Sequence, residues 1–144
     1  MLIYLDTCCL NRPYDDQSQL RIQLEAGAVL AILQQVTAGE IQLANSSVLQ
    51  FEIHRIADQN RRNGIHHFLS YSSSFQSLTS AIGQRGIELN RLGFKRLDAL
   101  HLAAAEALKV QAMLTTDDQL LRRAVQHSIH LTVSVLNPVQ FSTT

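Results

Sequence analysis

Apolar residues follow two rhythms along this chain: short unbroken runs, and longer stretches at helical spacing. Residues 2 to 5, Leu-Ile-Tyr-Leu, form a continuous apolar run of strand formers and predict a strand buried on both faces, with Asp6 at its carboxyl end. After the turn-like Asn11-Arg12-Pro13, Leu20, Leu24, Ala28, Ile32 and Val36 recur at helical spacing. They predict a helix over about residues 18 to 38, closed by Gly39. Residues 41 to 44 read as a second strand, after which Ser46 or Ser47 can cap a helix carrying Val48, Phe51, Glu52, Arg55 and Ile56.

The polar stretch Asp58 to Gly64 predicts a break, with a short helix somewhere between Ile65 and Phe75. Leu78, Ile82 and Leu89 predict another helix, interrupted by Gly83 and Gly86. Beyond Gly93, the set Leu97, Leu100, Leu102, Ala104, Ala105 and Leu108 covers most of the girth of a helix from about Leu97 to Val110. Residues 111 to 115 are a strand candidate ending at Thr116-Asp117-Asp118, followed by a helix through Leu120, Leu121 and Ala124, and His130 to Val135 reads as a last strand. Strands alternating with helices predict an α/β domain built from right-handed parallel crossovers, in which ligands sit beyond the carboxyl ends of the strands.

Composition narrows the class. A chain of 144 residues, nearly half of them apolar, can bury one substantial core and is too short for two ordinary domains, so residues 1 to 144 are expected to form a single domain. No apolar run is long enough to span a membrane, and Asp6 comes too early for a signal peptide, so a soluble, unprocessed, cytoplasmic protein is expected. The two cysteines, Cys8 and Cys9, are adjacent; a disulfide between them would be strained, they cannot alone supply a four-ligand zinc site, and they read as buried thiols of a reducing compartment. The formal charge of zero gives no whole-molecule attraction for a polyanion, so any nucleic-acid reading rests on local chemistry.

That local chemistry is acidic. Asp6 and Asp117 end strands, Glu52 lies one turn into a helix that follows a strand, and Asp98 interrupts the apolar face of Arg96-Leu97-Asp98-Ala99-Leu100-His101-Leu102-Ala103-Ala104-Ala105. A buried acid is costly unless paired or metal-bound, although an acid in the first turn of a helix is also favoured by the dipole. Four carboxylates converging on one place need a cation, and oxygen-only ligation favours magnesium or manganese.

Four segments carry a family resemblance: Leu5-Asp6-Thr7; Phe51-Glu52-Ile53; Leu97-Asp98-Ala99-Leu100-His101-Leu102-Ala103; and Leu114-Thr115-Thr116-Asp117-Asp118-Gln119-Leu120-Leu121. With them the chain resembles the PIN-domain ribonucleases, including the VapC-like toxins of bacterial toxin–antitoxin pairs, over nearly its whole length. The resemblance implies a three-layer α/β/α domain with a central, mainly parallel sheet. It also implies a metal-dependent endoribonuclease whose acidic quartet Asp6, Glu52, Asp98 and Asp117 binds Mg2+ or Mn2+ and carries catalysis. Thr7 and Thr116 match supporting positions, Asp118 is the rival for the fourth place, and Cys8 departs from the small polar residue common there. RNA, a cognate antitoxin and a second copy of the chain are the partners implied. His101, three residues past Asp98, shares its helix face and is either a supporting group at the site or a packed histidine. Arg12 and Arg96 are candidate phosphate contacts.

Rival enzymes lack their signatures. Cys8 stands where a haloacid-dehalogenase phosphatase has a second aspartate, a response-regulator receiver needs an acidic pair and a late lysine, and no glycine-rich phosphate loop is present. The alternative is a catalytically weak PIN-fold module that binds RNA or an antitoxin.

Overall fold

The structure is a computed structural model and describes residues 1 to 142. Five strands, β1 (Leu2–Leu5), β2 (Gln42–Ser46), β3 (Ser74–Gln76), β4 (Ala112–Leu114) and β5 (Ser134–Leu136), form one sheet in the order β3-β2-β1-β4-β5, and every pairing is parallel. The helices are α1 (Thr7–Asn11), α2 (Leu20–Thr37), α3 (Ser47–His54), α4 (Gln59–Leu69), α5 (Ser80–Arg91), α6 (Arg96–Ala107), α7 (Asp118–Gln126) and α8 (Pro138–Ser142). They cover the sheet to give the expected three-layer α/β/α arrangement. β1 is central, and Ile3, Tyr4 and Leu5 are fully buried, as an unbroken apolar run requires when both faces are covered.

Several boundaries are set by local chemistry. Ser46 caps α3 by accepting from the Leu49 amide at 3.0 Å. Gly39, at φ +78°, ends the α2 turn as expected. α6 stops at Ala107, three residues before the expected Val110, because Lys109 takes up a left-handed φ of 57° that turns the chain into β4.

Other expectations need correction. Asp58 to Gly64 is no break: Asp58 caps α4 through the Arg61 amide, and the polar residues after it form the outer face of a helix that buries Ile65 and Leu69. β3 follows it, where no strand was expected. α5 runs through both glycines without interruption. The last strand is Ser134–Leu136, preceded by a 3-10 turn at Ser128–His130, and α8 was not foreseen. The apolar series of α2 divides: Ala28, Ile32 and Val36 are buried, whereas Leu20 and Leu24 face solvent. No helix among the described residues is long and apolar enough to cross a membrane.

Candidate metal centre

The carboxyl end of β1 delivers Asp6, which is 6% exposed and serves as the N-cap of α1. Its Oδ1 accepts from the Thr7 amide at 2.8 Å, and its Oδ2 accepts from Thr115 Oγ1 at 2.9 Å and from Cys8 Sγ at 3.4 Å. The Asp6 amide donates to the Leu114 carbonyl, so the first acid is bound to the end of β4 through backbone as well as side chain.

Glu52 reaches the same place from α3. Its Oε1 accepts from Thr7 Oγ1 at 2.8 Å and from His101 Nε2. Asp6, Glu52 and His101 each present a donor atom, and these atoms lie within 4.8 Å of one another. His101 is 1% exposed; its Nε2 is 3.7 Å from Asp6 Oδ1, and its Nδ1 is 2.6 Å from the Tyr4 hydroxyl. Burial works against charge on the imidazole, but the Glu52 hydrogen bond and the surrounding carboxylates outweigh it and raise the His101 pKa. Burial likewise works against the Glu52 carboxylate, and the bonds from His101 and Thr7 bring its pKa below the usual value.

Asp98 enters from the first turn of α6, and its carboxyl takes no hydrogen bond among the described residues. Its pKa is pushed up to about 6, first by burial and then by the charges of Asp6 and Asp117. Asp117 caps α7, its Oδ1 accepting from the Gln119 and Leu120 amides at 2.9 and 3.2 Å, and its own amide donates to Thr115 Oγ1. Of the four expected acids, Asp6 and Glu52 come together, with His101 as the third member of the cluster; Asp98 and Asp117 lie outside it, and Asp98 feels the charges of Asp6 and Asp117.

The neighbouring doublet divides its labour. Asp118 turns to solvent and holds Arg21 through two 2.8 Å contacts, while Asp117 is the member whose charge reaches Asp98. The supporting threonines are Thr7 and Thr115. Thr116, expected to donate to an acid, instead meets Cys8 Sγ through its amide and Arg21 through its carbonyl, because the side chain aimed at Asp6 from this segment is that of the preceding residue. Cys8, expected as an ordinary buried thiol, is half-buried and bonded to Asp6 and Thr115. Arg12 is engaged by Glu25 at 2.8 Å and Asp15 at 3.1 Å, so a phosphate would have to compete for it. Arg96 borders a groove between α5 and α6, with Gly86, Asn90 and Leu100.

Sequence reading missed Tyr4, Ser46 and Thr115. Tyr4 carried a signal: a phenol inside a run buried on both faces must find a partner, and here it finds Ser46 Oγ at 2.7 Å as well as His101.

Asp6, Glu52 and His101 could together hold a metal ion. At Asp98, burial together with the charges of Asp6 and Asp117 outweighs the opposing charges of His101 and Lys95, which is why its pKa is raised.

No family model matches the chain, and no curated protein matches it in sequence. Solved structures do match, 15 chains among them. One is a chain of VapBC2 from Rickettsia felis bound to a DNA fragment from their promoter, with a TM-score of 0.60 and 17% identity over 95% of this chain and 98% of that one. At that identity the likeness is one of architecture, and the chain has the PIN-like three-layer α/β/α fold.

Proposed function

We propose that this chain is a divalent-cation-dependent endoribonuclease, a single cytoplasmic domain over residues 1 to 144, that hydrolyses RNA phosphodiester bonds with Asp6, Glu52, Asp98 and Asp117 as ligands of Mg2+ or Mn2+. The observation that carries this reading is the cluster of Asp6, Glu52 and His101 beyond the carboxyl end of the central strand of a parallel sheet, with Asp98, its pKa raised by burial and by the charges of Asp6 and Asp117, on the neighbouring helix turn.

A bound divalent cation would supply a polarised phosphate and a water of lowered pKa. The chain supplies the rest. Thr115 and the Thr7 amide fix Asp6, Thr7 and His101 fix Glu52, and the first turn of α7 fixes Asp117. Asp98, with no such anchor, is the acid free to adjust, and a bound cation would favour its ionised form over the protonated one that burial and the nearby acids promote.

The fold neighbour is a VapBC2 chain, which supports assignment as the toxin of a toxin–antitoxin pair; a short reading frame beside this gene, encoding a protein that binds and silences the chain, is the expected companion. A homodimer is expected and is read by light scattering. The second reading is a catalytically weak module of the same fold that binds RNA or an antitoxin.

Cleavage of labelled structured RNA with Mn2+, Mg2+ or chelator decides between them. Metal-dependent cutting that falls at least a hundredfold in both Asp6→Asn and Asp98→Asn is expected, since each variant removes a ligand charge worth about 3 kcal/mol or more in the transition state. Equal cutting by both variants would reject the site, and metal-independent binding without cutting would favour the second reading.

A further inference from the structure

Beneath the acid cluster lie three polar side chains sealed from water: Tyr4 and Ser46 at 0% exposure and His101 at 1%. They form a line. Ser46 Oγ is 2.7 Å from Tyr4 Oη, Tyr4 Oη is 2.6 Å from His101 Nδ1, and His101 Nε2 meets Glu52 Oε1.

The sense of this line is set from its outer end. A carboxylate only accepts, so the proton at the His101–Glu52 contact belongs to Nε2. In the neutral ring Nδ1 is then an acceptor, the Tyr4 hydroxyl donates to it, and the Ser46 hydroxyl donates to the Tyr4 oxygen. Ser46 Oγ meanwhile accepts from the Leu49 amide as the cap of α3. In a doubly protonated ring Nδ1 donates to Tyr4, which then donates to Ser46, and the proton on Nε2 is unchanged. In both states each buried polar group has a partner, and Nε2 has no lone pair to offer a cation.

We infer that His101 is a positioning residue, not a metal ligand: backed by Tyr4 and Ser46, its Nε2–H pins Glu52 Oε1, leaving Oε2 as the oxygen that Glu52 presents to a cation. This deepens the nuclease reading and rests on it for the identity of the bound ion. The chain ties α3, β1 and α6 to a single carboxylate oxygen, so Glu52 is oriented before any ion arrives. It also keeps the donor set entirely oxygen, which retains preference for Mg2+ and Mn2+ over the ions that a nitrogen ligand would favour.

The test is nitrogen NMR of the full chain labelled at histidine, without metal and with Mg2+, together with Mn2+ titrations followed by the spectrum of the free ion. Nε2 should carry its proton in both NMR samples. His101→Ala should weaken Mn2+ binding by roughly 10- to 100-fold, as loss of an outer hydrogen-bond partner does. His101→Gln, whose amide still donates, should recover most of that loss, and Tyr4→Phe should show a smaller one. In a Glu52→Ala background neither His101→Ala nor Tyr4→Phe should weaken binding further. An unprotonated Nε2 in the metal-free chain, or a proton lost when Mg2+ enters, would overturn the inference. So would equal losses from His101→Ala with and without Glu52, which mark a purely structural residue. If the wild-type chain binds neither ion, the nuclease reading fails alone, and the protonation of Nε2 in the metal-free chain still decides the role of His101.

Discussion

Asp98 is the residue on which pH should act most visibly. Its pKa of about 6 in the folded chain stands above its ordinary value of 3.8, so the folded state holds this proton more tightly than the unfolded one. The stability the proton confers is complete below about pH 4 and is lost as pH rises through about 6. In chelator at pH 7.5, Asp98→Asn should therefore melt about 2 to 4 °C above the wild type, corresponding to about 1 kcal/mol once solvent screening of a partly exposed group is allowed for. The gap should close near pH 4, and Mg2+ should raise the wild type and not the variant. A variant that melts lower at pH 7.5 would contradict the repulsion inferred at the cluster. Of the cluster, Asp6 was legible because it ends a buried apolar run, whereas Glu52 was singled out through the family resemblance. Thr115 was not legible, and the phenol of Tyr4 signalled only that it needs a partner, because their bonds to Asp6 and His101 join positions about a hundred residues apart and no local period names such a contact.

At the level of elements, α2 reaches across to the turn that carries Asp117. Arg21 grips both oxygens of Asp118 and the Thr116 carbonyl, and is itself steadied by buried Glu25. Arg21→Ala should weaken Mn2+ binding, by less than the roughly tenfold expected for a direct partner of a ligand, while leaving the thermal melt little changed; unchanged affinity would show that the turn holds without it. The strands and the long helices were legible because burial on both faces, or on one helical stripe, writes a period into the sequence. The stretch from Asp58 to Arg91 misled because two of its three glycines, Gly64 and Gly86, sit within helices at close contacts and mark no break. A Cβ on Gly64 would overlap the Tyr14 hydroxyl, and one on Gly86 would come within 2.8 Å of Leu100 on α6. Gly86→Ala should consequently cost about 1 to 3 kcal/mol in urea denaturation, where an alanine at Gly83, which faces open space, should be neutral or stabilising.

For the whole molecule, a formal charge of zero gives no overall attraction for a polyanion, so the RNA affinity that the proposed function requires would come from a bound cation and a few local basic groups. Binding in Ca2+ should vary with salt with a logarithmic slope of only about −2, the value for some three phosphate contacts on a single strand; a slope near −6 would reveal an extended basic surface instead. The order β3-β2-β1-β4-β5 has a further consequence, one of timing. The strand made first lies at the centre of the sheet, flanked by one strand about forty residues later and another more than a hundred later. Such distant pairings close slowly, and Asp6 gains its Thr115 partner only once β4 has paired with β1. Under the proposed function, a nascent chain that has not yet supplied β4 and the Asp117 turn should be unable to cut RNA, because Asp6 would lack the strand and the threonine that hold it.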